Sequence, residues 1–245
     1  MRLIFDLSAP LAADRPVLEK MVALGLRRQG VEAVLVVLLN SPKTGLPKDI
    51  AGRLSGMSGQ HLVLDGARTE LASELDAYER QASASYAELP ALLGGGGGRV
   101  EAVACAAVRD FGVLDINMLA MTRFFALLLG VRSPVLGTDF EPVSAQEAQA
   151  WLLSRPWWPY LIAQQGLGNW DGLLRKESDV QALAQLALAL PGLERERARH
   201  GYYPAALPSS GLLYKAGAGG FELCAPGARG DRLDSTGKEL CVSRP

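Results

Sequence analysis

The chain has 245 residues, 49% of them hydrophobic, with 25 basic and 26 acidic side chains and a formal charge of −1. That length and apolar content suffice for one large domain, or a domain with an appendage, and exclude a wholly disordered chain. The near-neutral balance, with no aromatics interleaved among Lys or Arg, removes the electrostatic case for nucleic acid or an anionic membrane surface.

Arg2-Leu3-Ile4-Phe5-Asp6-Leu7 is an apolar run of strand length, and with the helical spacing of Val17, Met21, Leu24 and Leu26 behind it predicts the start of a βαβ unit. The loop between them, Ser8 to Pro16, holds no glycine, which excludes a dinucleotide fingerprint or a P-loop. Gly30 reads as the end of that first helix, and the continuous apolar run through Val36-Val37-Leu38-Leu39-Asn40 as the interior strand of a parallel sheet. His61 to Gly66 predicts a third strand. Thr69 to Leu93 predicts a helix ending at five glycines, Gly94 to Gly98, read as a flexible connection because no Lys-Ser/Thr pair follows them.

Arg99 to Val108 predicts a fourth strand, Met118 to Leu129 a helix, and Ser133 to Asp139 a short fifth strand. Ser144 with Glu147 three residues on is a capping box opening the next helix. A further helix is expected from Asp179 to Leu190, stopping at Pro191. Beyond Gly201 the pattern changes to short strands, Leu212–Lys215, Phe221–Cys224 and Glu239–Val242, between glycine-rich turns. These elements predict an α/β fold: a Rossmann-like parallel sheet with helices on both faces over residues 1–192, and a small antiparallel β extension over 193–245.

No apolar run reaches the roughly 18 to 20 residues that a membrane-spanning helix needs, since the longest, Met118 to Val131, is broken by Arg123. The opening residues lack the pattern of a secretory signal, so a cytoplasmic chain with no integral membrane segment is expected. Cys224 and Cys241 bracket a turn-rich segment and are either a disulfide or two reduced thiols, while Cys105 sits in an apolar run.

Residues 1–190 resemble the amino-terminal, acceptor-side domain of family-four glycosyltransferases of the GT-B fold, bacterial enzymes of surface polysaccharide synthesis. The resemblance is carried by Arg2 to Leu7, by Val36 to Asn40, by Gly130-Val131 through Val135-Leu136-Gly137-Thr138-Asp139-Phe140-Glu141-Pro142, and by Glu177-Ser178. It implies a sugar cleft facing Asp139, with Glu177 and Ser178 at its floor. The family's glycine-rich loop after the first strand is replaced by Asp14-Arg15-Pro16-Val17-Leu18, and about 50 residues after 195 are too few for the family's donor-binding domain, so donor binding in the family's way is not expected of these residues. The tail, Arg199-His200-Gly201-Tyr202-Tyr203-Pro204 followed by Gly220-Phe221-Glu222-Leu223-Cys224, resembles the globular domains of type II secretion pseudopilins, in which a loop like that of Asp231, Asp234 and Ser235 holds calcium.

The candidate catalytic residue is therefore Asp139, a base on a sugar hydroxyl or a loop-bracing carboxylate. Candidate substrate contacts are Asp6, whose alternative is helix capping, Glu141, which reads as solvated, and Glu177 and Ser178. Trp157 and Trp158 complete the set, either as sugar platforms or as buried anchors. No metal or cofactor is expected, because His61 and His200 form no ligand cluster. The expected function is a glycosyltransferase-like domain, inactive alone, with an oligosaccharide acceptor or a donor-domain protein as partner. The alternative is a non-catalytic binding or assembly module with a pseudopilin-like tail.

Overall fold

The computed structural model describes residues 2–11, 17–41, 45–93, 99–131, 140–165, 168–207, 211–217, 219–226 and 239–244. Two compact units divide the chain. The first comprises Met1–Val63 with Gly172–Pro245, and the second Leu64–Asp171. The described residues are mostly helical and hold no parallel sheet, which overturns the Rossmann-like α/β expectation and with it the GT-B architecture.

In the first unit, helix α1 (Arg2–Leu11) occupies the stretch expected as the opening strand, and α2 (Val17–Asn40) absorbs both the first expected helix and the second expected strand. The reason is visible in the burial of α2. Ala23, Leu24, Arg27, Gly30, Val31, Val34, Leu35 and Leu38 are buried at three- and four-residue steps, whereas Val36 stays 57% exposed. A run in which nearly every residue is apolar carries no period of its own, and only length separates a strand from a buried helix. No proline interrupts Val17 to Asn40, so the helix runs through.

Gly30 is not a stop signal but a contact point. A Cβ there would lie 2.7 Å from Phe5 Cε1, so the missing side chain is what lets α1 rest on α2. Helix α3 (Lys48–Ser58) follows, and α4 (Leu62–Ser83) begins where a third strand was expected.

The same unit contains most of α10 (Trp170–His200), which continues past Pro191 instead of stopping there. Leu190 and Leu193 on either side of the proline are almost fully buried, and packing holds the helix where one backbone hydrogen bond is lost. Gly201, in the left-handed region at φ +78°, ends it and donates its N–H to the Arg197 carbonyl at 2.8 Å. Three strands follow, β1 (Leu213–Ala216), β2 (Phe221–Cys224) and β3 (Cys241–Arg244), antiparallel in the order β1-β2-β3. Phe221 packs edge-on against the buried Tyr203 with ring centroids 4.9 Å apart.

The second unit is built on α7 (Val113–Leu129), bounded by the left-handed glycines Gly112 and Gly130. Around it stand most of α4, the short α5 (Leu89–Leu92), α6 (Arg99–Asp110), α8 (Ala145–Leu153) and α9 (Trp157–Gln165). Helix α6 replaces the fourth expected strand. Phe124, Phe125 and Trp170 form an aromatic core, Phe125 meeting Trp170 edge-on at 5.5 Å. Buried Asn117 links α7 to α9: its amide nitrogen donates to the Val113 and Pro159 carbonyls at 2.7 Å, and its oxygen accepts from the Ala163 N–H at 2.8 Å. The Ser144–Glu147 capping box is present at the start of α8. The expected fifth strand and the glycines 94–98 lie outside the described residues.

Candidate functional site

With no parallel strands among the described residues, those residues form no strand-end cleft for the sugar-facing side chains to line. Asp6 lies exposed on α1 and pairs with Arg53 at 2.5 Å, joining α1 to α3. Asp139 lies outside the described residues, as do Asp231, Asp234 and Ser235. Glu141 is exposed ahead of α8, and Trp157 and Trp158 are exposed at the start of α9.

Glu177 and Ser178 sit within α10 instead of opening a helix. Glu177 is buried and serves α4: its carboxylate accepts the Val63 N–H at 3.3 Å, at a helix start where backbone donors need an acceptor. Its charge also acts on buried Arg27. Burial holds the Arg27 guanidinium below its usual pKa range, and Glu177 works against that shift. Arg27 donates to the Gln60 side chain at 2.7 Å, and Gln181 donates to the Gln60 carbonyl at 2.8 Å. This network is built from the unit's own residues, with the Arg27 Nε left without a partner.

The first unit carries an open groove of about 900 Å³. Leu38 and Leu39 at the end of α2, Leu46 and Ala51 beside α3, and Leu188 and Ala198 on α10 supply its apolar lining. Helical spacing explains the wall: residues one and two turns apart on α10 present the same side. Its polar margin is a connected set. Glu194 accepts from Arg244 at 2.6 Å and from the Tyr203 hydroxyl at 3.1 Å, and Arg244 also donates to the Leu39 carbonyl. Arg197 donates to Tyr203 at 2.8 Å while its guanidinium stands 4.8 Å from that ring's centre. Thus β3, the end of α2 and the last turns of α10 are tied at one carboxylate.

Glu194 holds the arginine and the phenol through the same oxygen, Oε1. His200 lies exposed against Glu196, and His61 is exposed. Among the described residues the groove carries no nucleophile paired with a base.

Comparison with protein-family models, curated proteins and solved structures finds no match. The reading of the site therefore rests on its own geometry.

Cys224 and Cys241 face each other in the β2–β3 register and are joined as a disulfide. Among the described residues, Glu222, Cys224 and Cys241 bring an oxygen and two sulfurs within 4.8 Å of one another. The sulfurs are bonded to each other and offer no thiolate to a metal. Cys105 is a half-buried free thiol on α6.

Sequence reasoning passed over Arg27, Asn117, Glu194 and Arg244. Arg27 had a signal, since it occupies the buried stripe of α2 once that segment is given a helical period. Arg244 had none: its partners Leu39 and Glu194 are 205 and 50 residues away. No single helix among the described residues is long and apolar enough to cross a membrane.

Proposed function

We propose that the chain is a non-catalytic binding or assembly module that receives an apolar peptide segment of a protein partner in the groove of the first unit. The observation that carries this reading is the pairing of an aliphatic lining with a polar margin whose Glu194 carboxylate is already satisfied internally. A sugar needs polar partners for its many hydroxyls and a flat face for its C–H surface; the lining carries Glu194, Arg195 and Arg197 but no aromatic ring to supply that face. The glycosyltransferase expectation depended on a cleft at the ends of parallel strands and loses its geometric support with them. A long helix leading through Gly201-Tyr202-Tyr203-Pro204 into a three-strand meander is compatible with the pseudopilin-like reading of the tail. The Cys224–Cys241 bond favours an oxidising compartment over the cytoplasmic placement expected from the sequence.

Ala198 is exposed and lines the groove, so Ala198→Trp fills it without disturbing the core. Peptides selected for binding to the full chain and measured by calorimetry should be apolar and lose about tenfold or more in affinity to Ala198→Trp, with an unchanged melting temperature. Peptide binding indifferent to that substitution, or turnover of a nucleotide sugar by the chain, would overturn the reading.

A further inference from the structure

In the second unit three buried N–H donors gather around one indole with no acceptor to receive them. Trp151 lies on α8. The guanidinium of Arg123, from α7, stands 4.6 Å from the centre of its ring, and that of Arg155, two residues beyond α8, stands 4.9 Å from it. Arg123 also faces the Phe140 ring at 5.8 Å. The Nε of Arg123, the Nε of Arg155 and the Nε1 of Trp151 are all buried and without a hydrogen-bond partner. Neither guanidinium forms an ion pair with a carboxylate among the described residues. Glu147, one helical turn before Trp151, is engaged by the Ser144 N–H and hydroxyl at 2.9 and 2.8 Å.

Buried donors in folded proteins are almost always paired, so a cluster of unpaired ones marks an acceptor that is not among the described residues. The aromatic faces attract the two cations but accept no hydrogen bond from the plane of the guanidinium. Both cations lie within 5 Å of one ring centre. They are therefore no more than about 10 Å apart, near one Debye length at 0.1 M salt, and repel each other unless a negative charge lies between or beside them. A water molecule would accept two of the hydrogen bonds but brings no negative charge to the two half-buried cations. A tetrahedral oxyanion supplies several acceptor oxygens together with the charge, and the guanidinium fork is the side chain best matched to it.

We propose that Arg123, Trp151 and Arg155 form a binding site for a phosphate group. The group can come from free phosphate or from a lipid headgroup, since the contacts involve the phosphoryl oxygens alone. The site is separate from the groove of the first unit and does not depend on the function proposed for it.

The test is a titration of the full chain with inorganic phosphate at constant ionic strength, followed by calorimetry and by the arginine Nε–Hε resonances. Saturable binding that shifts two Nε–Hε signals is expected, with affinity falling about tenfold or more in Arg123→Gln and in Arg155→Gln. Arg123→Lys, which keeps the charge and loses the fork, should weaken binding even where the glutamine variant fails to fold. Vesicles of phosphatidic acid, compared with vesicles of phosphatidylcholine, separate the sources: tighter binding to the former, lost in the same variants, assigns a headgroup, and a response to inorganic phosphate alone assigns the free anion. No saturable response to either, or a response unchanged in these variants, overturns the site.

Discussion

The two units treat buried arginine in opposite ways. In the first, Arg27 is only 8% exposed and its Nε, like those of Arg123 and Arg155, is buried without a partner, yet its Nη1 has an acceptor in Gln60 and the guanidinium a counter-charge in Glu177, brought from segments 33 and 150 residues away. In the second, Arg123 and Arg155 lie against an indole and have neither. The difference separates a polar group that completes the fold from one that awaits a ligand. The first unit needs both ends of the chain to build its network; the second is a continuous segment, and the hydrogen bonds among its described residues span fewer than 50 residues. Local contacts form with less loop-closure entropy, so the second unit is the one expected to fold first.

Breaking the first unit's network should have the largest effect. Glu177→Ala leaves buried Arg27 without its counter-charge and the Val63 N–H without an acceptor, and should cost about 3 kcal/mol in denaturant unfolding. Glu177→Gln keeps an acceptor for Val63 and should recover part of that loss. Gly30→Ala should cost about 2 kcal/mol, because its Cβ would enter the Phe5 ring, and Phe5→Leu in the same chain should return some of it. A double-mutant cycle checks that coupling.

Within the second unit, Ser144→Ala should cost about 1 kcal/mol by removing the cap of α8. The cap also predicts a pH dependence. Hydrogen bonds from the Ser144 hydroxyl, then from its backbone N–H, hold the Glu147 carboxyl below its ordinary pKa. That stabilisation is complete above the ordinary glutamate value and is lost as pH falls through the lowered one. Chemical shifts of Glu147 followed through acid titration, in the native chain and in Ser144→Ala, measure it: the apparent pKa should rise in the variant.

The smallest effect sharpens the comparison most. Arg27→Met removes a cation that is hydrogen-bonded to Gln60 and faces the Glu177 charge and should destabilise the chain, whereas Arg123→Met in phosphate-free buffer should change stability by no more than about 0.5 kcal/mol, since it removes a donor with neither and keeps apolar contact with Trp151. A large loss from Arg123→Met would show that the second unit depends on that cation as the first depends on Arg27.

Features set by neighbouring residues were readable in advance. The Ser144–Glu147 capping box is a pattern of four residues, and the tail strands lie between glycine-rich turns that leave short, alternating segments. Strand β2 coincides with the expected span and β1 is displaced by one residue. The expected strands at Arg2, Glu32, His61 and Arg99 were helices because uniformly apolar runs suit either structure. What decided between them was which side could be buried: Val31, Val34, Leu35 and Leu38 meet one packed face while Val36 meets solvent. Composition and local pattern thus carried the caps, the turns and the tail meander. The helical body, the Arg27 and Glu194 networks and the convergence of Arg123, Trp151 and Arg155 arose from tertiary packing, because each joins groups whose sequence separation leaves no local trace.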